Sequence, residues 1–277
     1  MTDAKKNNLT ELETIAGEAF ELLGTGRQIK PFSERLSGFD LDDAYQAAAL
    51  IKNLREKRGE VQLGRKIGFT NRTIWDEYNV HAPIWGYVYD RTVHNLADLS
   101  EAFSLTNLTD PRIEPEIVFQ LSAAPASGMD ETGLLACIDW VAHGFELVQS
   151  IYPGWKFSAA DTVAAYGLHG ALLIGSRHPI GAKMESWNRT LPSFEIDLMR
   201  DGRVLEHGHS SNVLGGPVSA LRHLVDVLSH DHVNPPLAAG EIVTTGTLTR
   251  ALPVLSGEVW ATRLTGVPLE GISVCFY

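Results

Sequence analysis

Pro111-Arg112-Ile113-Glu114-Pro115-Glu116-Ile117-Val118-Phe119 reads as a strand carrying two carboxylates on one face. Alternate residues of a strand share a face, so Glu114 and Glu116 point the same way while Ile113, Ile117 and Phe119 point into a core. Two poorly solvated carboxylates this close repel each other by several kcal/mol, and a cation between them removes that cost. Oxygen ligands select a hard ion such as Mg²⁺, Mn²⁺ or Ca²⁺. The same spacing also fits a solvated strand face. Pro115 predicts an edge or irregular strand, because proline gives no N–H to a ladder.

Working outward, His143-Gly144-Phe145-Glu146-Leu147-Val148 sets a third carboxylate between apolar neighbours. A charge there needs a metal, an ion-pair partner or a shifted pKa. Upstream, Gly64-Arg65-Lys66-Ile67-Gly68 places Lys66 inside an expected strand between two glycines that allow close approach of a ligand. Lys66 in that position suits a carboxylate contact or proton transfer. Lys156, in Gly154-Trp155-Lys156-Phe157, is a similar lysine among aromatics. Both also fit surface lysines with snorkelling stems. Near the C-terminus, Gly240-Glu241-Ile242-Val243-Thr244-Thr245-Gly246-Thr247 runs from a strand into a small-residue turn, whose N–H groups and hydroxyls suit an anion.

The rest of the chain predicts an α+β fold: a helical segment over residues 1–60, then a β-rich catalytic domain over 61–277. Helical spacing predicts a first helix over Thr10–Leu23, opened by a Thr10/Glu13 capping box, and a second over 41–58 capped by Asp40. Further helices are expected at Glu131–Ala142 and Pro217–Ser229. Strands are expected at Arg65–Phe69, Ile113–Leu121, Ala171–Ile174, Phe194–Met199, Glu241–Thr245, Glu258–Leu264 and Ile272–Phe276.

The net charge of −11 argues against nucleic acid as the main partner, since phosphate binding needs clustered cations. The nearest basic run, Lys52 to Arg58, reads as an exposed helix face. No apolar stretch reaches the roughly 20 residues of a membrane span, and the polar stretch Met1–Thr10 does not read as a signal peptide. Cys137 and Cys275 lie in apolar contexts and read as reduced core thiols, so a cytoplasmic location is expected. There is no dinucleotide fingerprint, phosphate loop or nucleophile elbow. His207 and His209 read as exposed residues of a glycine-rich turn.

Taken in order, these pieces resemble the fumarylacetoacetate hydrolase superfamily, within it the 2-keto-4-pentenoate hydratase/4-oxalocrotonate decarboxylase group. The resemblance runs through Gly64–Gly68, Pro83-Ile84-Trp85-Gly86, Arg112–Ile117, Glu146, Trp155–Phe157, Ala160–Ala164, Gly240–Thr247 and Leu269–Phe276. It implies a mixed β-sandwich or roll with a helical N-terminal part, usually a homo-oligomer, with a pathway enzyme as a further expected partner. It implies that Glu114, Glu116 and Glu146 bind Mg²⁺ (or Mn²⁺), which a small 2-oxo acid chelates. Lys66 and Lys156 then fall on catalytic positions, and Thr247, Gly246, Ile84 and His169 line the substrate. Chelation would make the ion a Lewis acid for a 2-enolate. That sink serves hydration of a 2-hydroxy-2,4-dienoate in aromatic-compound catabolism, decarboxylation of a 4-oxalocrotonate-like diacid, or acylpyruvate C–C hydrolysis; a non-catalytic partner subunit is a fourth reading.

The sequence departs from the group at three places. Ile84 follows Pro83 where hydratases tend to carry Asp, a position at which the decarboxylases resemble this chain better. Gln149 stands where Asp is usual. Ala165-Tyr166-Gly167-Leu168-His169 replaces the usual D-N-A-S stretch, and His169 suits either acid/base chemistry or a hydrogen-bonded structural role. The superfamily's hydrolases use a His–Glu pair on a short lid helix, for which His81 and Glu77 are the available pair.

Overall fold

The computed structural model describes residues 3–99 and 102–277, with side chains from residue 9 on. Among these residues twelve strands form: β1 (Gln62–Gly68), β2 (Ile84–Tyr89), β3 (Val93–Asn95), β4 (Arg112–Leu121), β5 (Ile138–Val148), β6 (His169–Pro179), β7 (Glu195–Arg200), β8 (Arg203–His209), β9 (Ile242–Thr244), β10 (Leu252–Pro253), β11 (Val259–Thr265) and β12 (Ser273–Cys275). Eight make a mixed sheet in the order β2-β1-β9-β4-β5-β6-β3, with β10 also paired to β4; the other four make an antiparallel sheet, β12-β11-β7-β8. The α-helices are α1 (Asp3–Leu22), α2 (Leu41–Lys57), α3 (Trp75–Tyr78), α4 (Glu131–Ala136), α5 (Ala159–Ala164), α6 (Met184–Thr190) and α7 (Pro217–Ser229). None is long and apolar enough to cross a membrane.

The alternation around Glu114 sorts the interior. Ile113, Phe145 and Leu147 are buried against Leu198, Trp260 and Val274 of the smaller sheet. Ile117 and Phe119 share a cluster with Trp187 of α6 and Leu221 and Leu224 of α7. On the carboxylate face, Val118 meets Val88, Ala142, Leu172 and Ile242. Those residues come from strands at both ends of the larger sheet, so the sheet curls and this face is its concave inside. Under α1 and α2, Leu12, Ile15, Ala19, Ala44 and Ile51 pack in one cluster with Ile84, Tyr152, Val163 and Tyr166.

Several expectations are corrected. The first helix begins at Asp3, so Thr10 lies inside it and its backbone carbonyl accepts from the Thr14 hydroxyl. Polar residues upstream extend the helix because its stability comes from the Leu12–Leu22 stripe, not from the capping pattern. Asp40 does cap α2, accepting from the Asp43 amide at 3.0 Å. The basic run of α2 is not wholly exposed: Arg55 is 3 % exposed, donates twice to Glu60 Oε2 and lies over the Tyr89 ring. A planar fork with a matched carboxylate and an aromatic face tolerates burial where Lys does not.

The expected helix Glu131–Ala142 stops at Ala136, and Ile138 opens an eleven-residue strand. Ile138, Trp140 and Val141 favour a strand, and ten residues of β4 pair with it. Pro115 does not sit on an edge, because β4 lies between β5 and β9. It is tolerated because β9 pairs only with Val118–Gln120 and β10 only with Arg112 and Ile113. In the interval the Pro115 carbonyl accepts from the Leu248 amide of a loop, so no ladder donor is required there. His207 and His209 lie on β8, not in a turn, though His207 is exposed as expected. Cys137 is buried and Cys275 half-buried, both as free thiols.

Candidate metal centre and active site

The β4–β5 register sets Glu114 directly opposite Glu146, and Glu116 opposite Gly144. All three carboxylates are buried, and one oxygen of each lies within 4.8 Å of the others. Glu146 has two charged or polar side-chain partners, Lys66 and His169. The Lys66 ammonium stands 3.1 Å from Glu146 Oε2, an ion pair without hydrogen-bond alignment, and donates to the Gly167 carbonyl at 3.0 Å. His169 Nδ1–H donates to Glu146 Oε1 at 2.7 Å.

Charge bookkeeping then decides what the cluster is for. Three ionised carboxylates against one lysine leave two negative charges in a site closed to water, at a cost of several kcal/mol per unpaired charge. Burial, then Glu146 and Glu114, push the Glu116 carboxyl well above its ordinary range. Burial also lifts Glu114 to about 7 against the pull of Lys66. Burial works the same way on Glu146, but Lys66 and His169 hold it below its ordinary value. Burial alone would lower Lys66, yet the three glutamates outweigh it and keep the ammonium charged. Glu116 Oε1 and Glu146 Oε2 are buried with no hydrogen-bond donor. Orphaned carboxylate oxygens on facing strands are the donor set of a hard divalent cation, and its two positive charges cancel the excess.

The glycines of the sequence motifs have separate reasons. A Cβ at Gly64 would lie 1.9 Å from the Ile242 carbonyl oxygen, so this glycine admits strand β9 rather than a ligand. Gly68 is the one that faces the site, its would-be Cβ 3.3 Å from Lys66 Nζ and 3.2 Å from Ile84 Cδ1. Gly86 lets the Tyr166 carbonyl approach, which positions the Gly167 carbonyl that Lys66 uses. Gly246 has φ +94°, donates its N–H to Glu116 Oε2 at 2.8 Å, and would drive a Cβ to 1.8 Å from Thr70 Oγ1. The turn does serve an anion, and the anion is Glu116. Gly246→Ala is therefore expected to cost about 2–4 kcal/mol in urea unfolding, from overpacking and a left-handed backbone. An unchanged midpoint would show that the loop relaxes freely.

The remaining candidates are placed differently from one another. Ile84 is buried beside Gly68, and no carboxylate occupies its position. His169, expected at the substrate, stands behind Glu146, with both ring nitrogens engaged: Nδ1 on Glu146 and Nε2 on Thr92 Oγ1 at 2.9 Å. Burial pushes its pKa down, so the ring is a neutral prop for Glu146. The Thr247 hydroxyl turns into its own loop and donates to the Thr249 carbonyl. Lys156 is exposed, and the narrow cavity at Lys66 and Glu114 is lined by its neighbour Trp155 together with Phe69 and Tyr78. Gln149 bridges the Thr109 amide and the His169 carbonyl. Glu77 pairs with Arg250 at 3.0 Å while His81 reaches only Asn79, so they do not form a pair. Sequence reasoning missed Thr92 and Tyr78, neither of which carries a local signal.

No family model matches the chain. Over 95 % of its length and 96 % of the relative's, it is 29 % identical to the 2-hydroxyhexa-2,4-dienoate hydratase of Comamonas testosteroni. It is 26 % identical to the 2-keto-4-pentenoate hydratase of Burkholderia vietnamiensis, over 92 % and 94 % of the two chains. The fold superposes on the 4-oxalocrotonate decarboxylase of Pseudomonas putida G7, complexed with magnesium and adipate, with a TM-score of 0.86 at 24 % identity, covering 97 % and 98 % of the chains. Over nearly its whole length the chain is thus similar to 2-hydroxydienoate and 2-keto-4-pentenoate hydratases and shares the fold of the decarboxylase. The fold also superposes, less closely, on the fumarylpyruvate hydrolase of Pseudomonas aeruginosa in complex with Mn²⁺ and pyruvate, with a TM-score of 0.55 at 16 % identity over 78 % and 89 % of the chains.

Proposed function

We propose that this protein is a divalent-metal-dependent lyase of small 2-oxo acids that hydrates a 2-hydroxy-2,4-dienoate to a 4-hydroxy-2-oxo acid. The observation that carries this reading is the buried set Glu114, Glu116 and Glu146, with its orphaned oxygens and one lysine. The hydratases among its relatives support the reaction class. Glu114, Glu116 and Glu146 would hold a Mg²⁺ or Mn²⁺ ion, which would supply Lewis-acid polarisation of a bound 2-oxo acid.

The chain's own groups account for the rest. Lys66 is a charged donor on the wall of the cavity, placed to hold its Nζ proton against the negative charge of a dienolate and so stabilise it. The Gly167 carbonyl fixes that ammonium in place. Phe69, Tyr78 and Trp155 give the cavity apolar aromatic walls suited to a conjugated chain. His169 holds Glu146 in one rotamer through Oε1, while Oε2 faces the Lys66 ammonium at 3.1 Å.

Ile84 favours a second reading, decarboxylation of a 4-oxalocrotonate-like diacid, because an apolar wall beside Lys66 provides no second acid for water addition. Turnover of 2-hydroxy-2,4-dienoates and 4-oxalocrotonate with Mg²⁺ and Mn²⁺, followed by ultraviolet absorbance and CO₂ release separately, distinguishes the two. Loss of dienol absorbance without CO₂ is expected; CO₂ release selects the second reading, and no turnover of either substrate rejects both.

The raised carboxyls also predict linked protons. Below pH 7 the free protein keeps protons on Glu114 and Glu116 that a cation must displace. Mg²⁺ affinity is therefore expected to rise from pH 6 to pH 8, with release of about one proton or more at pH 6. Calorimetry in two buffers of different ionisation enthalpy measures this, and identical heats after correction at pH 6 would contradict it.

A further inference from the structure

Thr244 carries a hydroxyl that the fold itself does not use. It lies on β9, is fully buried, and among the described residues its Oγ1 has no hydrogen-bond partner. An orphaned buried hydroxyl lowers stability, and a valine of the same shape would not. Register places Thr244 beside the glutamates. It pairs with Lys66 of β1 on one side and with Val118 of β4 on the other. Directly paired residues share a face, so its side chain stands on the concave face that carries Glu114 and Glu116. Glu116 is its diagonal neighbour, about 7–8 Å away between backbones, a span that long side chains bridge. Just beyond Thr244 the two segments stay in contact: the Thr245 amide donates to the Ile117 carbonyl at 3.1 Å, and the Gly246 amide to Glu116 Oε2 at 2.8 Å.

Around Thr244 the same face carries Val118 and Ile242, which belong to an apolar cluster, and the polar neighbours Lys66 and Glu116. The Lys66 ammonium is engaged by Glu146 and the Gly167 carbonyl. Glu116 Oε2 is engaged by Gly246, and its Oε1 is buried without a donor. A hydroxyl and a carboxylate oxygen are thus left over at neighbouring positions of one face, not bonded to each other. Both lie on the closed side. Lys66 and Glu114 line the cavity, and Glu114 is 8 % exposed, whereas Glu116 and Thr244 are 0 % exposed. A 2-oxo acid therefore approaches from the Glu114 end. Mg²⁺ takes octahedral coordination and keeps water in it readily. One oxygen from each glutamate and the two of a chelating 2-oxo acid leave one position for a water.

We infer that Thr244 is a positioning residue whose Oγ1 accepts a hydrogen bond from a water bound to the ion beside Glu116, on the side that substrate does not reach. This rests on the reading of Glu114, Glu116 and Glu146 as a metal site, and adds to it a neutral group from a fourth position in the chain. A water polarised by a divalent cation is a strong donor, and a hydroxyl oxygen enclosed by apolar neighbours is the acceptor it needs. Such a water stays in place while substrate binds and leaves, and its anchor raises the affinity for the ion. Neither hydration nor decarboxylation is presupposed.

The test compares Thr244→Val and Thr244→Ser with the unsubstituted protein. Calorimetric Mg²⁺ affinity is expected to fall about tenfold in Thr244→Val and to stay within about twofold in Thr244→Ser. Metal-free Thr244→Val should melt at the same temperature as its parent or higher, because it removes an orphan. The water is counted directly in the unsubstituted protein loaded with Mn²⁺ and saturated with oxalate, which stands in for the chelating acid. Line broadening of the Mn²⁺ resonance by water carrying the magnetic oxygen isotope should show one bound water left. No bound water there, or parental Mg²⁺ affinity in Thr244→Val, overturns the inference and leaves the metal reading standing. A lower melting temperature for metal-free Thr244→Val also overturns it, since the hydroxyl then has a partner within the fold. If the unsubstituted protein binds neither Mg²⁺ nor Mn²⁺, the metal reading itself falls, and the inference with it.

Discussion

Glu116→Gln is expected to abolish metal-dependent turnover, by on the order of 10³-fold or more, in a protein that remains folded. The amide keeps an oxygen to accept the Gly246 N–H but loses the charge that the cation needs. The metal-free variant should be no less stable than its parent. In the folded protein the Glu116 pKa lies well above its unfolded value, so the folded state binds more protons over that interval. Its stability then falls as pH rises through it, and the substitution removes that loss. Thermal unfolding at pH 8 should therefore show an equal or higher midpoint without metal. Added Mg²⁺ at a hundred times its Kd should raise the parent by about 2.7 kcal/mol and the variant hardly at all. Unchanged turnover in the variant would remove Glu116 from the metal site.

Lys66→Met should be the most destabilising single change at the cluster. Methionine fills most of the same volume but leaves Glu146, Glu114 and Glu116 without their one buried cation. Losing one partner of a buried ion pair costs about 3–5 kcal/mol. The sign with pH is fixed by the carboxyls. Glu146 is held below its ordinary pKa by Lys66, so that pair stabilises the fold above the unfolded carboxyl range and is lost only as pH falls through the folded value. Glu114 carries a proton below about pH 7, which softens the repulsion there. The loss should thus be greatest in metal-free protein at pH 8 and smaller at pH 5.5. Excess Mg²⁺ should recover part of the stability, while turnover stays absent because the cation that stabilises the dienolate is gone. A urea midpoint at pH 8 equal to that of the parent would mean that Lys66 does not neutralise the cluster.

Much of the fold could be read residue by residue. Alternation around Glu114 gave the correct faces of β4, and helical spacing located α7 to the residue. The errors lie where local pattern competes with pairing. Residues 138–142 carry apolar spacing compatible with a helix, and only the partner strand β4 makes them extended. Pro115 argues for an edge until the loop at Leu248 is seen to take over the ladder. Arg55 reads as a surface charge until Glu60 and Tyr89 enclose it.

For the site, the sequence by itself determined which residue types are present and that Glu114 and Glu116 share a face, because strand alternation is a local property of the backbone. It also marked Glu146 and Lys66 as charges in apolar runs. Only the tertiary structure decided that these four meet, that Glu146 lies opposite Glu114 in register, and that His169 stands behind it rather than at the substrate. It alone turned the Thr247 hydroxyl inward and brought Phe69, Tyr78 and Trp155 to one cavity with Lys66 and Glu114. The reason is physical: which charge neutralises which is set by distances across strands far apart in the chain, and burial, which makes those distances count, exists only once the sheet has curled.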